Sequence, residues 1–250
     1  MMKSFGVFLV LIGGFSFAEA RVFNINKETF AGYFSIGGGS SLLGSSAFDK
    51  ESGSGISFSA KPEYNYQGEF GFVYARPHAS LRFGIEILKP QSISTTAKNS
   101  TDDLYTNQSD ILGFAPKLTF DVNLHSAQTY RSFVAVGVGL ANITLKNAYK
   151  LTAAGQTAFP GVSDHSIEAK GSATSLTGSL GYEGLLTDTT TLLFEMGYRQ
   201  LSINNLKYTK SATTFTGAKD SGDAVLDSDG AQRELNLGGF FVSLGFRFYL

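Results

Sequence analysis

Few residues in this chain could do covalent chemistry. Three histidines, His78, His125 and His165, are the only imidazoles in 250 residues, and there is no cysteine. A nucleophilic hydrolase needs a hydroxyl, an imidazole and an acid converging on one face. His165 and Ser166 are adjacent, and adjacent strand residues point to opposite faces, so the pair cannot act as nucleophile and base. The absence of cysteine removes disulfides, thiolate metal sites, a thiol nucleophile and a cysteine-linked lipid anchor. Asp220, Asp223, Asp227 and Asp229 lie near Gly222 and Gly230. Their spacing does not match a calcium loop with its terminal glutamate, so they read as a solvated acidic loop. Gly37, Gly38, Gly39 and Ser40 imitate a phosphate loop without its lysine or helix, and a close-packed strand end accounts for them better. Asn142, Ile143 and Thr144 match a glycosylation triplet but fall inside a strand. The expectation is a protein that is not an enzyme, with no catalytic residue, cofactor or metal site.

What remains is a set of charges recurring at every second position. Glu69, Arg82, Glu86, Lys117, Asp121, Glu183, Glu195, Arg199 and Arg247 each share a strand face with small residues, opposite an apolar face. The pattern is clearest in the last twelve residues, GFFVSLGFRFYL. One face carries Phe240, Val242, Leu244, Phe246, Phe248 and Leu250; the other carries Phe241, Ser243, Gly245, Arg247 and Tyr249. Period-two alternation without proline, rich in β-formers, is a strand. Seven earlier segments read the same way, at about 30–39, 64–75, 79–89, 110–122, 130–146, 173–185 and 191–206. Pro116 falls inside the fourth, where a bulge or break is expected.

The connections alternate strictly. Long polar stretches at 40–63, 90–109, 147–172 and 209–232 are interleaved with short ones at 76–78, 123–129 and 187–190. Transmembrane β-barrels show that asymmetry, with long external loops and short periplasmic turns. Ten residues at about 3.3 Å each, tilted by roughly 40°, rise about 25 Å, the height of the apolar band of such barrels. Closing the sheet also removes its exposed edges. At the other end of the chain, Lys3, the apolar run from Phe5 to Phe17 and Ala18-Glu19-Ala20 read as an export signal over residues 1–20. No later segment is long and apolar enough for a membrane helix. A net charge of −1 gives no reason to expect nucleic-acid binding.

With these features together, the chain resembles the small eight-stranded outer-membrane barrels of the outer-membrane protein A and opacity-protein type. The resemblance covers residues 21–250 as one all-β domain: an eight-stranded antiparallel transmembrane barrel in a bacterial outer membrane. It implies contact with outer-membrane lipid and lipopolysaccharide. It also implies that the barrel-assembly machinery reads the final strand, here through Phe240, Val242, Leu244, Phe246, Phe248 and Leu250. The family's usual terminal phenylalanine is replaced by Leu250. No length is left for a peptidoglycan-binding domain, so that role is not carried over.

An eight-stranded barrel is just wide enough to be filled by side chains. The inward charges therefore read as an ion-pair plug, with Arg247 expected to pair with Glu195 or Glu183. The functional expectation is a structural and surface-interaction protein whose loops meet a host or cell-surface ligand. A narrow porin or small-solute transporter is the alternative. A secreted lipocalin-like barrel would turn the apolar face inward instead, and alternation alone does not say which face is inside.

Overall fold

The structure, a computed structural model, describes residues 23–47, 55–227 and 230–250. The export-signal segment and Asp229 lie outside them. Eight long strands form the wall: β1 (Phe30–Ser40), β2 (Tyr64–Ala75), β3 (Ala79–Pro90), β4 (Asp103–Ser126), β5 (Tyr130–Leu151), β6 (His165–Leu185), β7 (Thr190–Gln200) and β8 (Gly239–Tyr249). Each pairs antiparallel with its neighbours in sequence, and β8 returns to β1 with Ala31 opposite Tyr249 and Gly39 opposite Phe241. The sheet is thus a closed ring in which the backbone satisfies its own hydrogen bonds, the condition for a β structure to span lipid.

The apolar face points outward. Phe83 is 61% exposed, Val136 64% and Phe240 70%, and the rows they belong to run around the wall. The inward-binding lipocalin arrangement is therefore the wrong way round for this chain. An apolar belt around a closed antiparallel ring is the face such barrels present to lipid, and the fold is a transmembrane β-barrel. Three short turns, 76–78, 127–129 and 186–189, close one end, and four long connections close the other.

Three strands are longer than their membrane-facing pattern suggests. β4, β5 and β6 have 24, 22 and 21 residues, against 11 or 12 for the other five. Their alternation persists along the whole length, but its polarity inverts. Outward residues pass from Leu112 to Asp110 on β4, from Leu140 to Asn142 on β5 and from Leu176 to Thr174 on β6. Beyond that level the inward residues become Ile111, Ile143, Leu145, Ile167 and Ala169, all buried. The lower barrel is greasy outside and charged within; the upper barrel is wet outside and apolar within. Boundaries expected at 110 and 173 stop where the outward residues turn polar, and the one at 146 falls five residues short of Leu151, so β4, β5 and β6 are undercounted there. The seventh strand errs the other way, ending at Gln200 with a separate two-residue strand, Ser202–Ile203, following it.

Pro116 does not shift the register. β4 pairs with β3 straight through it, with Ile85 opposite, while the ladder to β5 skips Ala115 and Pro116 and resumes in the same register at Lys117. The missing N–H costs one local interruption on one side. The bulge of this strand lies instead between Asn123 and His125.

Small inward residues make room for large ones. A Cβ on Gly181 would lie 2.1 Å from the ring of Phe133, and one on Gly84 would lie 2.3 Å from the Tyr33 hydroxyl. Outward-facing Gly178, by contrast, has nothing within 4 Å of that position. Gly181→Val should therefore lower stability by about 1–3 kcal/mol through overpacking, while Gly178→Val should stay near the parent. Urea unfolding of protein refolded into lipid vesicles measures both.

Candidate functional site

The lumen is the candidate site, and every strand contributes to it. β6 supplies Glu183, whose carboxylate accepts from Arg131 Nε (2.7 Å), Arg247 Nη1 (2.7 Å), Thr191 Oγ1 (2.5 Å) and Tyr249 Oη (2.7 Å). Arg247 reaches on to Asp121 at 3.2 Å, and Arg82 links Asp121 (3.0 Å) to Glu195 (2.9 Å). Ser179 donates to the same Glu195 at 2.5 Å. A second run joins Tyr33 to Glu69 (2.5 Å), Glu69 to Lys117 (2.9 Å), and Lys117 to Glu86 (4.0 Å). Arg199 completes it, touching Glu86 at 3.0 Å and Gln67 at 2.8 Å. Phe133 packs against the first run, with the guanidinium carbons of Arg82 and Arg247 at 5.8 and 5.6 Å from its ring centre.

All nine charges singled out from the sequence lie buried on the inward face and take part in these contacts. Of the two partners considered for Arg247, the structure pairs it with Glu183; Glu195 goes to Arg82. One member was missed. Arg131 is 1% exposed and contacts Glu183 at 2.6 Å. Its signal was present, because it shares the phase of Phe133, but it sits one residue beyond a turn where strand phase is hard to assign. With Arg131 the set has five acids and five bases. That balance leaves no single-signed ring of the sort that selects ions.

The charged layer is capped at both ends. On the turn side, Phe23 and Ile25 fold beneath the ring, Phe23 edge-on to Tyr249 at 5.5 Å, and Ile25 N–H donates to Gln128 O at 3.0 Å. On the loop side, the long connections turn their apolar residues inward. Leu43, Leu201, Ile203, Leu206, Val225, Leu235 and Leu237 are buried with Leu88, Ile111, Leu145 and Ile167 in one cluster. The long connections, polar in overall composition, thus turn these apolar residues to the lumen.

The residues considered for chemistry have other occupations. His165 is not in a loop but opens β6, where its Nδ1 lies 2.9 Å from Ser163 O and its ring packs on Tyr149 and Phe215 at 4.8 and 5.0 Å. His125 stacks on Tyr130 at 5.6 Å. Asp223 accepts from Asp220 N at 2.8 Å within a turn, and Asp227 pairs with Arg233 at 3.2 Å. Among the described residues no three His, Asp or Glu side chains converge as a metal site would require. Gly37 and Gly39 lie in β1, where a Cβ would meet the Val242 and Phe240 carbonyls, at 2.5 and 1.8 Å. The Asn142 triplet lies within β5.

The outward row of β8 runs Phe240, Val242, Leu244, Phe246, Phe248 and Leu250, with Phe34 tilted against Phe246 at 5.5 Å and stacked on Phe248 at 6.3 Å. Leu250 itself is 82% exposed, its N–H donating to Phe30 O at 3.2 Å.

No protein-family model and no curated protein sequence matches the chain. Solved structures do. The outer membrane protein OprG from Pseudomonas aeruginosa is 13% identical at a TM-score of 0.45, over 91% of this chain and 97% of that one. Neisserial surface protein A is 10% identical at 0.40, over 88% and 97%. Ail, the attachment invasion locus protein of Yersinia pestis, is 9% identical at 0.37, over 88% and 99%. These are small eight-stranded outer-membrane barrels. At such identities and scores the likeness carries no further weight, and the architecture rests on the closed register and the outward apolar face.

Removing Glu183 takes the carboxylate from buried Arg131 and leaves Arg247 with Asp121 alone. Glu183→Ala should cost about 3–5 kcal/mol, the usual penalty for breaking a buried pair. Removing the exposed Lys98–Asp103 contact should cost less than about 1 kcal/mol. Equilibrium unfolding in vesicles gives both values.

Proposed function

We propose that the protein is a bacterial outer-membrane barrel whose span is a sealed post, and that its work is done at the surface it raises above the membrane. The observation that carries this reading is the filling of the lumen at three successive levels: the Phe23–Tyr249 cap, the charged layer and the apolar upper core. Arg247 and Glu183 are fully buried at the middle level. A conducting pore needs a continuous hydrated path, and here ion pairs and packed methyl groups occupy that path.

The rest of the reading follows from it. Export by the residue 1–20 signal brings the chain to the periplasm, and the assembly machinery recognises the outward row of β8 ending at Leu250. The upper barrel and the described parts of its loops then present a polar surface suited to structural and surface-interaction work, including contact with a host or cell-surface ligand. Most of their large apolar residues face inward, which leaves a partner to be met mainly through hydroxyls, amides and charges.

Single-channel recording of the refolded protein in planar bilayers tests the proposal. The expected trace is insertion without steady current. Arg247→Ala and Glu195→Ala should also stay closed, because the upper core and the lower cap remain. Reproducible ion steps in the unmodified protein would replace the sealed post with a narrow porin.

A further inference from the structure

Above the apolar belt, the inward face of the extended strands holds a polar patch that the ion pairs do not use. The register places Thr95, Asn107, Tyr149 and His165 in one cross-strand row, and Ile93, Ser109, Asn147 and Ile167 in the next. Asn107 is 0% exposed, Asn147 1% and Ser109 2%. Among the described residues, nothing bonds Asn107 Nδ2, Asn107 Oδ1, Ser109 Oγ or Asn147 Oδ1. Asn147 Nδ2 is engaged, donating to Ala47 O at 2.8 Å and to the Tyr149 hydroxyl at 3.0 Å. His165 adds a buried Nε2 with no partner. Its Nδ1 meets the Ser163 carbonyl, which can only accept, so Nδ1 carries the hydrogen and Nε2 is an acceptor. Directly opposed strand residues have Cβ atoms about 5 Å apart, so these groups share one small volume. Buried polar groups are costly without partners, and this patch calls for a polar occupant.

An aromatic cluster adjoins the patch. Phe215 lies 4.8 Å from Tyr105, 5.3 Å from Tyr149, 4.8 Å from Phe159 and 5.0 Å from His165, ring centre to ring centre. Phe215 sits at the turn of a hairpin, Ala212–Thr214 with Gly217–Lys219, which forms a two-stranded sheet of its own. Ala212 and Phe215 are its residues that pack on the upper core. A lone hairpin is marginally stable in water, so the Phe215 ring is what holds this one down.

The chemistry of the patch limits what it can take. Its two rows contain no carboxylate, ammonium or guanidinium group, so an ion there would stand unpaired. Three acceptors, one hydroxyl and one amide donor beside aromatic faces suit a ring with hydroxyls around its edge and C–H groups on its faces. We infer that the upper barrel contains a closed binding site for an uncharged saccharide ring. Asn107, Ser109 and Asn147 meet its hydroxyls, and Phe215 covers the site until the hairpin swings aside. This deepens the surface-interaction reading and rests on it, but does not require the ion-pair layer to be sealed.

The test uses the full folded protein in lipid nanodiscs, with N-acetylglucosamine as probe and saturation-transfer NMR as readout. The parent should bind the sugar, and glucuronate should not compete. Phe215→Ala should raise the apparent affinity about tenfold or more, because the open form no longer has to be drawn from a minor population. Asn107→Leu should lower it about tenfold, with unchanged heat-sensitive gel mobility, since an apolar isostere suits a buried site that lacks partners. The chain has no tryptophan, so Phe215→Trp emission reports the hairpin directly and should shift to the red as sugar is added. Binding to N-acetylglucosamine both free and as the terminal unit of an immobilised oligosaccharide would support a diffusible ligand, and to the immobilised form alone a cell-surface one. No transfer to the sugar in either the parent or Phe215→Ala would overturn the proposal and leave the patch to water. Equal binding by Asn107→Leu, equal binding of glucuronate, or emission unmoved by bound sugar would also overturn it. A barrel closed to ions that binds no sugar defeats this inference alone; ion steps with sugar binding intact defeat the sealed post alone.

Discussion

A charge enclosed in a narrow barrel must meet its opposite across the lumen. Leaving one alone in so small an interior costs several kcal/mol, so the inward positions of different strands constrain one another. Glu183 on β6 is held by groups from β5, β7 and β8, and Asp121 on β4 is shared between β3 and β8. A one-residue slip in any of these strands would carry its charge into lipid and strand its partners. The ion pairs thus fix the register of the ring, and the register in turn sets where the outward apolar rows begin and end.

The second organising feature is the inversion of polarity along β4, β5 and β6. A strand that alternates without interruption serves two solvents in succession, because which face is greasy depends only on what lies outside. Below Leu112, Leu140 and Leu176 that surrounding is lipid; above them it is water, and the core moves inside. The long connections then behave as the lid of a soluble domain. Their leucines and isoleucines join the inward residues of the extended strands in one cluster.

Much of this was legible in the chain. Strand number and the placing of all nine charges on one shared face follow from period two, since Cβ direction on a strand depends on nothing but the backbone, and the alternation of long and short connections is read off the spacing between those strands. The final strand shows it most plainly, with Arg247 on one face and Phe246 and Phe248 on the other. What alternation could not supply was which face is inside, because an inside-out barrel has the same period. Nor could it extend β6 back to His165, because the cue in use was an apolar outer face and that cue reverses at the water line.

The sequence by itself determined the strands, their phases and the kinds of residue enclosed. Only the tertiary structure decided the partners. Arg131 and Arg247 converge on Glu183, and Arg82 rather than Arg247 takes Glu195, because barrel closure and strand stagger bring together residues more than 50 or 100 positions apart. The same closure turned loop leucines into a core and set Lys207 opposite Lys170. Local alternation fixes direction along each strand, but distance across a lumen is a property of the closed ring.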